Sequence, residues 1–486
     1  MKRLLLFALL LSAAACSEDN APTPQISLST TEALLRSDAG STASIIVTAD
    51  DAWTLTTINS SDFTITPQSG SRGQTTVTLT ATQQNTQKTR QTLGEVHFTL
   101  TYGAMSCSLS VVQSPALAPQ TVLLYMPGTS LSGYFKNNIK AIEAAVTAHI
   151  PGDGRILVCY QPKSNNKAEL LEIAFDGDTQ KSRTTTIKEY DQFAANEIAS
   201  VQRLLADMAL AAPAQRYGLI IGCHGKAWIP ASAGVLYRRN LTHDDNCLGT
   251  PYPNALPTRS FGDSSYQLDI TDLATAIGHQ TYKLDYLIFD ACFMANIETL
   301  YDLRNVVGAV IASPCEIMAA GFPYSRIIPS LFTLNGTSRD LQKVCTEFHK
   351  FYDEDWNTVA NNARSGCISL ANTAELESLA EVMRRINATT PQSYPLEELQ
   401  SYEGCKNHVF YDLGHYVTLR CGDAALRTEF TQQFDKTFPE ACRLHTPTFH
   451  SVYNGAANPI NVYSGVSVSE PSTRFTVENQ QTAWYR

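Results

Sequence analysis

Two apolar runs, each ending at a chemically reactive side chain, constrain the fold of this chain more than any other feature. Leu284 to Phe289 reads as a fully buried parallel strand, and it breaks at Asp290-Ala291-Cys292 into Phe293 to Arg304, whose apolar spacing is helical. Upstream, Tyr217 to Gly222 reads as a second such strand and ends in Cys223-His224-Gly225. Open α/β sheets place their ligands at the carboxyl ends of their strands. Two adjacent parallel strands bring His224 and Cys292 to one edge, and the helix after Cys292 aims free N–H groups and its positive dipole end there, favouring thiolate over thiol.

Nucleophilic chemistry on sulfur needs a thiol, an imidazole to handle the proton and N–H donors for a developing oxyanion. Strand-His-Gly followed by strand-Asp-Ala-Cys supplies all three, with the Gly225 and Cys292 amides as the expected donors. An arbitrary cysteine and histidine would instead read as a buried structural thiol and a satisfied core imidazole, because inert buried cysteines are common. The paired strand-end setting is what distinguishes these two.

These motifs, HG and DAC, each closing an apolar strand, resemble those of the clostripain family of cysteine peptidases, in the same caspase-like clan as gingipains, legumains and separase. The resemblance extends to Thr121–Met126 (TVLLYM), Ala312–Tyr324 (ASPCEIMAAGFPY), Tyr411–Tyr416 (YDLGHY), Ser464–Val468 (SGVSV) and Thr482–Tyr485 (TAWY), and so covers roughly residues 121–486. It implies a caspase-like α/β/α three-layer sandwich with a largely parallel sheet, and a dyad in which Cys292 is the nucleophile and His224 its partner. It also implies cleavage after Arg, with Lys second, from a pocket that includes Asp290. Residues two apart in a strand face the same side, so the Asp290 carboxylate is expected beside the nucleophile, where a substrate guanidinium would pair with it in bidentate form. The alternative is that Asp290 caps a helix starting near Phe293. Family members often carry an acidic residue directly before the glycine of Gly321-Phe322-Pro323-Tyr324; here it is Ala320, so the pocket's charge rests on Asp290, helped by Glu316.

Between the dyad residues, Lys226 to Tyr266 is rich in Pro, Gly, Ser and Asn with little periodicity, and an irregular segment of this length is usually functional or disordered. The family is typically activated by internal cleavage in this interval, and Arg238-Arg239 offers a dibasic self-cleavage site; two solvated surface arginines are the bland alternative. Calcium supports some family members and is carried here as a possible cofactor, with His243-Asp244-Asp245-Asn246 as a suggestive acidic stretch and no EF-hand pattern.

The amino terminus is an address. Lys2-Arg3, the apolar Leu4–Leu11 and the small residues up to Ala15 form a signal peptide (1–15) that is too short to span a bilayer, which needs about 20 apolar residues. Small residues before Cys16 resemble a bacterial lipobox, implying cleavage there, lipidation of Cys16 and anchoring in outer-membrane lipid, with Ser17-Glu18-Asp19-Asn20 resembling a surface-export signal. An ordinary secretory signal is the alternative. A tether (16–30) leads into a Thr-, Ser- and Val-rich region with period-two alternation, 24–115, read as an immunoglobulin-like β-sandwich. Trp53, Thr66–Gly70 and Val111–Ser114 resemble BACON-type domains, which are associated with sugar binding; without a cluster of exposed aromatics, a spacer role is preferred over a glycan site.

Residues 116–486 then read as the peptidase domain. Strands are expected at 121–126, 155–160, 217–222, 284–289 and 306–312, helices near 136–149 and 191–211, and a polar hairpin at 168–188. Helical patterns recur near 338–356 and 373–388, and the chain closes with strand-like segments, all in a C-terminal subdomain expected to wall the cleft. The formal net charge of −10 argues against nucleic acid, and the twelve cysteines show no zinc-type spacing. A protein or peptide substrate is therefore the expected partner. The rival readings are an inactive peptidase-like adhesin or carbohydrate-binding scaffold, a cysteine-dependent transamidase and a glycan-processing enzyme.

Overall fold

A computed structural model describes residues 23–58, 61–87, 89–102, 105–150, 152–161, 167–232, 252, 255–259, 267–335, 338–356 and 364–486. The chain divides at Ala116 into two units. In the first, a four-stranded sheet (order Ile26–Leu28, Thr42–Ala49, Gly73–Ala81, Phe63–Thr66) and a five-stranded sheet (Glu32–Leu35, Ser106–Gln113, Gln91–Leu100, Trp53–Ile58, Ser69–Gly70) share one core. Period-two alternation builds that core: Ile45, Val47 and Ala49 point in while Ser44, Ile46 and Thr48 remain outside it. Trp53 is wholly buried with its ring 5.5 Å from Phe98, so its indole is core rather than a sugar platform.

The second unit is built on an eight-stranded sheet. Its strands are β1 (Thr121–Met126), β2 (Arg155–Tyr160), β3 (Ala168–Asp176), β4 (Lys181–Tyr190), β5 (Tyr217–Gly222), β6 (Leu284–Asp290), β7 (Ala309–Ala312) and β8 (Ser369–Asn372). They run in the order β4-β3-β2-β1-β5-β6-β7-β8. The five central strands are parallel, and the β3–β4 hairpin and β8 add antiparallel edges. β1, β2 and β5 are buried at every position, which is why they read as unbroken apolar runs rather than alternating ones. One group of helices, α1 (Ser132–Thr147), α5 (Tyr324–Phe332) and α6 (Leu341–Lys350), packs together, and a second group comprises α2 (Ile198–Ala211), α3 (Ile270–Gly278) and α4 (Ile297–Leu303). This is the α/β architecture with a large, mostly parallel sheet that the sequence predicts.

The departures have physical causes. The helix predicted from Phe293 starts at Ile297, because the backbone before it is not helical: Phe293 is left-handed (φ +64°) and Asn296 extended (φ −118°, ψ 134°), in a segment held against residues 313–315 by Phe293 N–H on Cys315 O (3.0 Å) and Ala295 N–H on Ser313 O (2.9 Å). Asn296 then caps the helix through its side chain, which accepts the Thr299 N–H at 3.1 Å. The closing segment is more helical than its pattern suggests. Leu413–Arg420 and Ala424–Thr437 are helices, each started by an aspartate cap, Asp412 on the His415 N–H (2.7 Å) and Asp423 on the Ala425 N–H (2.8 Å). The C-terminal region is also continuous with the sheet, since Ser369–Asn372 supplies the strand beside β7.

Candidate active site

β5 and β6 are adjacent and parallel, and Gly222 lies in register with Asp290. The chain leaves both strands at the same edge, so Cys223-His224-Gly225 and Ala291-Cys292 emerge side by side. The approach is close enough to dictate a residue: a Cβ on Gly225 would lie 2.3 Å from the Cys292 carbonyl oxygen, so only glycine fits after His224. His224 Nε2 is 3.0 Å from Ser130 Oγ, and the imidazole lines a small apolar pocket with Tyr125, Ile229, Leu273, Phe289 and Met294.

Cys292 is fully buried, its Sγ accepting the Ile317 N–H at 3.1 Å. Burial pushes the thiol well above its ordinary range, the Glu316 carboxylate adds to that rise, and the Ile317 N–H opposes it. The expectation that a helix dipole would favour the thiolate is therefore corrected. With α4 starting at Ile297 the thiol is not at a helix end, and the dipole's reach is about one turn. The same boundary removes Asp290 from any capping role, because Asn296 performs it.

Asp290 is instead fully buried against an arginine of the same chain. Arg259, 0 % exposed, places Nη1 2.9 Å from Asp290 Oδ2, itself on a 0 % exposed side chain. The guanidinium also donates to Asp290 O (Nη1, 3.1 Å), Asn138 Oδ1 (Nη2, 3.0 Å) and Ala319 O (Nε, 3.2 Å), and it lies 5.4 Å from the Phe135 ring centre. Tyr324 donates its hydroxyl to Asp290 Oδ2 at 2.8 Å. Burial pushes the Asp290 carboxyl up, against the pull of Arg259, the Tyr324 hydroxyl and the Phe322 N–H. Removing the guanidinium from beside a carboxylate this deeply buried would leave an uncompensated charge away from water. Gly321, at φ +74°, packs against this ion pair, and a Cβ there would come within 2.2 Å of Arg259 Nη2.

The main chain of Arg259 is held as closely as its side chain. Its carbonyl accepts the Gly225 N–H at 2.9 Å, and its N–H donates to Ile317 O at 2.8 Å. Thr258 bridges Met318 in antiparallel fashion, and Ala319 donates its N–H to Pro257 O at 2.9 Å. Thr258 Oγ1 donates to Glu316 Oε1 at 2.9 Å, and the Val452 N–H is shared by the two Glu316 oxygens at 3.0 and 3.1 Å. Glu316 thus faces the residue before Arg259 rather than the guanidinium, which corrects its expected part in the cationic pocket.

Sequence reasoning missed Arg259, Asn138 and Tyr324. Arg259 gave no signal within an irregular segment. Asn138 was visible as a polar residue on the buried Phe135–Ile142 face of α1, and it spans the place left by Ala320 by donating to the Ala320 carbonyl at 3.0 Å while accepting from Arg259. Arg238, Arg239, the His243–Asn246 stretch and Cys16 lie outside the described residues. Among the described residues no group of three or more His, Cys, Asp or Glu could hold a metal ion, and no helix is long and apolar enough to cross a membrane.

A parallel sheet with a cysteine and a histidine at neighbouring strand ends, beside a buried aspartate, is the frame of a caspase-like cysteine peptidase. A model of the clostripain family matches residues 124–420, and the chain belongs to that family. It is similar to the secreted C11 cysteine protease iotapain from Bacteroides thetaiotaomicron, with 31 % identity over 76 % of this chain and 99 % of that one, at a TM-score of 0.65. An inactive zymogen of a C11 protease from Parabacteroides distasonis shares 26 % identity over 76 % of this chain and 98 % of its own, at 0.62. A further secreted C11 protease from B. thetaiotaomicron, bound to an irreversible peptide inhibitor, shares the fold at 20 % identity and a TM-score of 0.61, covering 75 % of this chain and 97 % of its own. No curated protein matches the sequence. The chain is a cysteine peptidase.

Proposed function

We propose that this peptidase is an endopeptidase cleaving proteins or peptides after Arg, with Lys second, through Cys292 and His224. The observation that carries the reading is the buried Asp290, whose counter-ion is a guanidinium at the same strand edge as Cys292. A substrate arginine entering that slot would meet Asp290 together with the oxygens of Asn138 and Ala319; lysine, with one compact ammonium, would satisfy fewer of these acceptors. In turnover, His224 takes the thiol proton and Cys292 Sγ attacks the scissile carbonyl carbon. The oxyanion is received by the Gly225 and Cys292 N–H groups, and His224 returns the proton to the leaving amine. Water then hydrolyses the thioester, restoring the thiol and releasing a carboxylate.

The chain is further read as made with a lipoprotein signal (1–15), lipidated at Cys16 and held on the outer membrane, with the β-sandwich as a BACON-like spacer. Support comes from the secreted relatives and, for the spacer, from the burial of Trp53; Ile46 and Tyr102 are the exposed large hydrophobics among that unit's described residues. Activation by internal cleavage within residues 226–266, for which Arg238-Arg239 is one candidate, agrees with the inactive zymogen form of one similar protease. Fluorogenic peptides varied at the residue before the cut, with an arginyl covalent probe, test the specificity. Turnover should rank Arg above Lys and far above apolar or acidic residues, and the probe should label wild type but not Cys292→Ala. Preference for apolar or acidic residues would overturn the reading.

A further inference from the structure

We propose that the apolar pocket beside His224 is the subsite for the residue that follows the cut, so that the enzyme prefers a Leu-sized apolar side chain directly after the scissile bond. This rests on the dyad and the Arg-directed cleavage proposed above and adds to them the identity of the leaving residue.

The last rungs of the sheet sort two sites onto opposite faces. Tyr125, Ile221 and Phe289 are register partners across β1, β5 and β6, and all three line the pocket. One position further on, Gly222 pairs with Asp290 and faces the other way: a Cβ on Gly222 would meet Arg259 Nη1 at 3.2 Å and Met126 Cγ and Phe135 Cε1 at 3.6 Å. Successive strand residues point to opposite faces, so Asp290 and its arginine lie on the α1 side of the sheet and the pocket on the α2 and α3 side. Ala195, just before α2, and Leu273 of α3 close it there. His224 and Cys292 follow these rungs at the edge between the two faces.

The chemistry says which residue each face receives. His224 returns its proton to the leaving nitrogen, so that nitrogen must come within hydrogen-bond reach of the imidazole. The Cα of the leaving residue is one bond beyond that nitrogen and its Cβ two. A substrate with its Arg against Asp290 therefore brings its next side chain to the imidazole, and the imidazole lines this pocket. The cavity is about 120 Å³. A dry cavity of roughly 150 Å³ holds a benzene ring, so Leu or Met fills this one and Trp exceeds it. Among the described residues its charged lining members are Lys226 and Asp269, of opposite sign, and Asp269 Oδ1 accepts the Ala231 N–H at 2.7 Å. An ionic side chain would lose its water there without gaining a net counter-charge. The same subsite would seat an incoming amine. Its nitrogen attacks the thioester carbonyl carbon, the C–S bond breaks, and the proton it loses passes through His224 to Cys292 Sγ, leaving a new peptide bond and the free thiol.

The test uses the full chain and peptides identical except for Gly, Leu, Trp, Asp or Lys after the Arg, with an arginyl dye amide, which has no residue there, as the reference. The account expects kcat/KM roughly tenfold higher for Leu than for Gly, with Trp below Leu and Asp and Lys no better than Gly. Leucinamide should likewise intercept the acyl-enzyme roughly tenfold better than glycinamide. Ala195→Leu, which fills the cavity, should bring the Leu-to-Gly ratio close to one, and Ile229→Ala, which enlarges it, should move the optimum towards Trp; the wild-type series stands even if one variant fails to fold. Equal turnover of the Leu and Gly peptides, or preference for Asp or Lys, overturns the proposal while turnover of the arginyl reference leaves the Arg-directed function standing. A Leu preference that the folded variants leave unchanged overturns it too, because the preference then arises outside this pocket. No turnover of the arginyl reference overturns both readings.

Discussion

Asp290 and Glu298 are both 0 % exposed and lie within a few residues of each other, yet they are stabilised in opposite ways. Asp290 faces a cation delivered by a separate segment, Arg259, in a slot whose other contacts also serve a guanidinium. Glu298, in the first turn of α4, is held by the Ser469 N–H at 2.8 Å, and burial raises its pKa to about 7. The difference separates a site from a scaffold. A buried acid satisfied by fixed backbone belongs to the fold; under the proposed function, the one satisfied by a side chain from another segment is where a substrate arginine would bind.

The largest effect is expected where the cation is lost. Asp290→Asn keeps the shape of the slot but strands any guanidinium without its counter-charge, costing about 4 kcal/mol, or roughly a thousandfold in kcat/KM for Arg peptides. Steady-state kinetics on Arg and Lys peptides check this, and an unchanged Arg rate would place specificity elsewhere. Glu298 should respond in stability instead. Its folded pKa of about 7 lies above the usual 4.5, so the folded state retains a proton that the unfolded chain releases, and stability falls as pH rises from about 4.5 through 7. At about 1.4 kcal/mol per pH unit the penalty above pH 7 is about 3 kcal/mol. Glu298→Gln, which keeps an acceptor for Ser469, should remove this pH dependence in denaturant melts and be the more stable protein at pH 8.

Smaller effects refine the pocket. Asn138→Ala deletes one guanidinium acceptor and should lower Arg turnover about tenfold while narrowing the Arg-over-Lys ratio; an equal loss for both would make Asn138 merely structural. Glu316→Gln removes a negative charge that raises the Cys292 thiol, so the pH profile of Cys292 alkylation should move to lower pH. A profile that stays in place would show that burial alone sets the thiol.

Much of the frame was legible in the sequence because it depends on period and punctuation. Strands buried on both faces announce themselves as unbroken apolar runs, and two of them ended in His224-Gly225 and Asp290-Ala291-Cys292. Asp290 could be read as an acid seeking a cation, but the identity of that cation could not, because Arg259 comes from a segment without periodicity and reaches Asp290 only through tertiary structure. The late start of α4 was hidden for a similar reason: residues 293–296 are held in a non-helical conformation against residues 313–315, a tertiary pairing that helical spacing does not reveal. Glu316 was recognised as acidic and near the cleft, but its direction is set by Thr258 and Val452, both distant in sequence.

The central claim, that Asp290 makes the pocket read a positive charge, is tested most directly by two peptides identical except for arginine or citrulline before the cut. Citrulline keeps the length and planarity of the side chain and removes its charge. The account predicts at least a hundredfold higher kcat/KM for arginine in wild type, on the scale of a lost buried ion pair. Comparable turnover of the two peptides would contradict it.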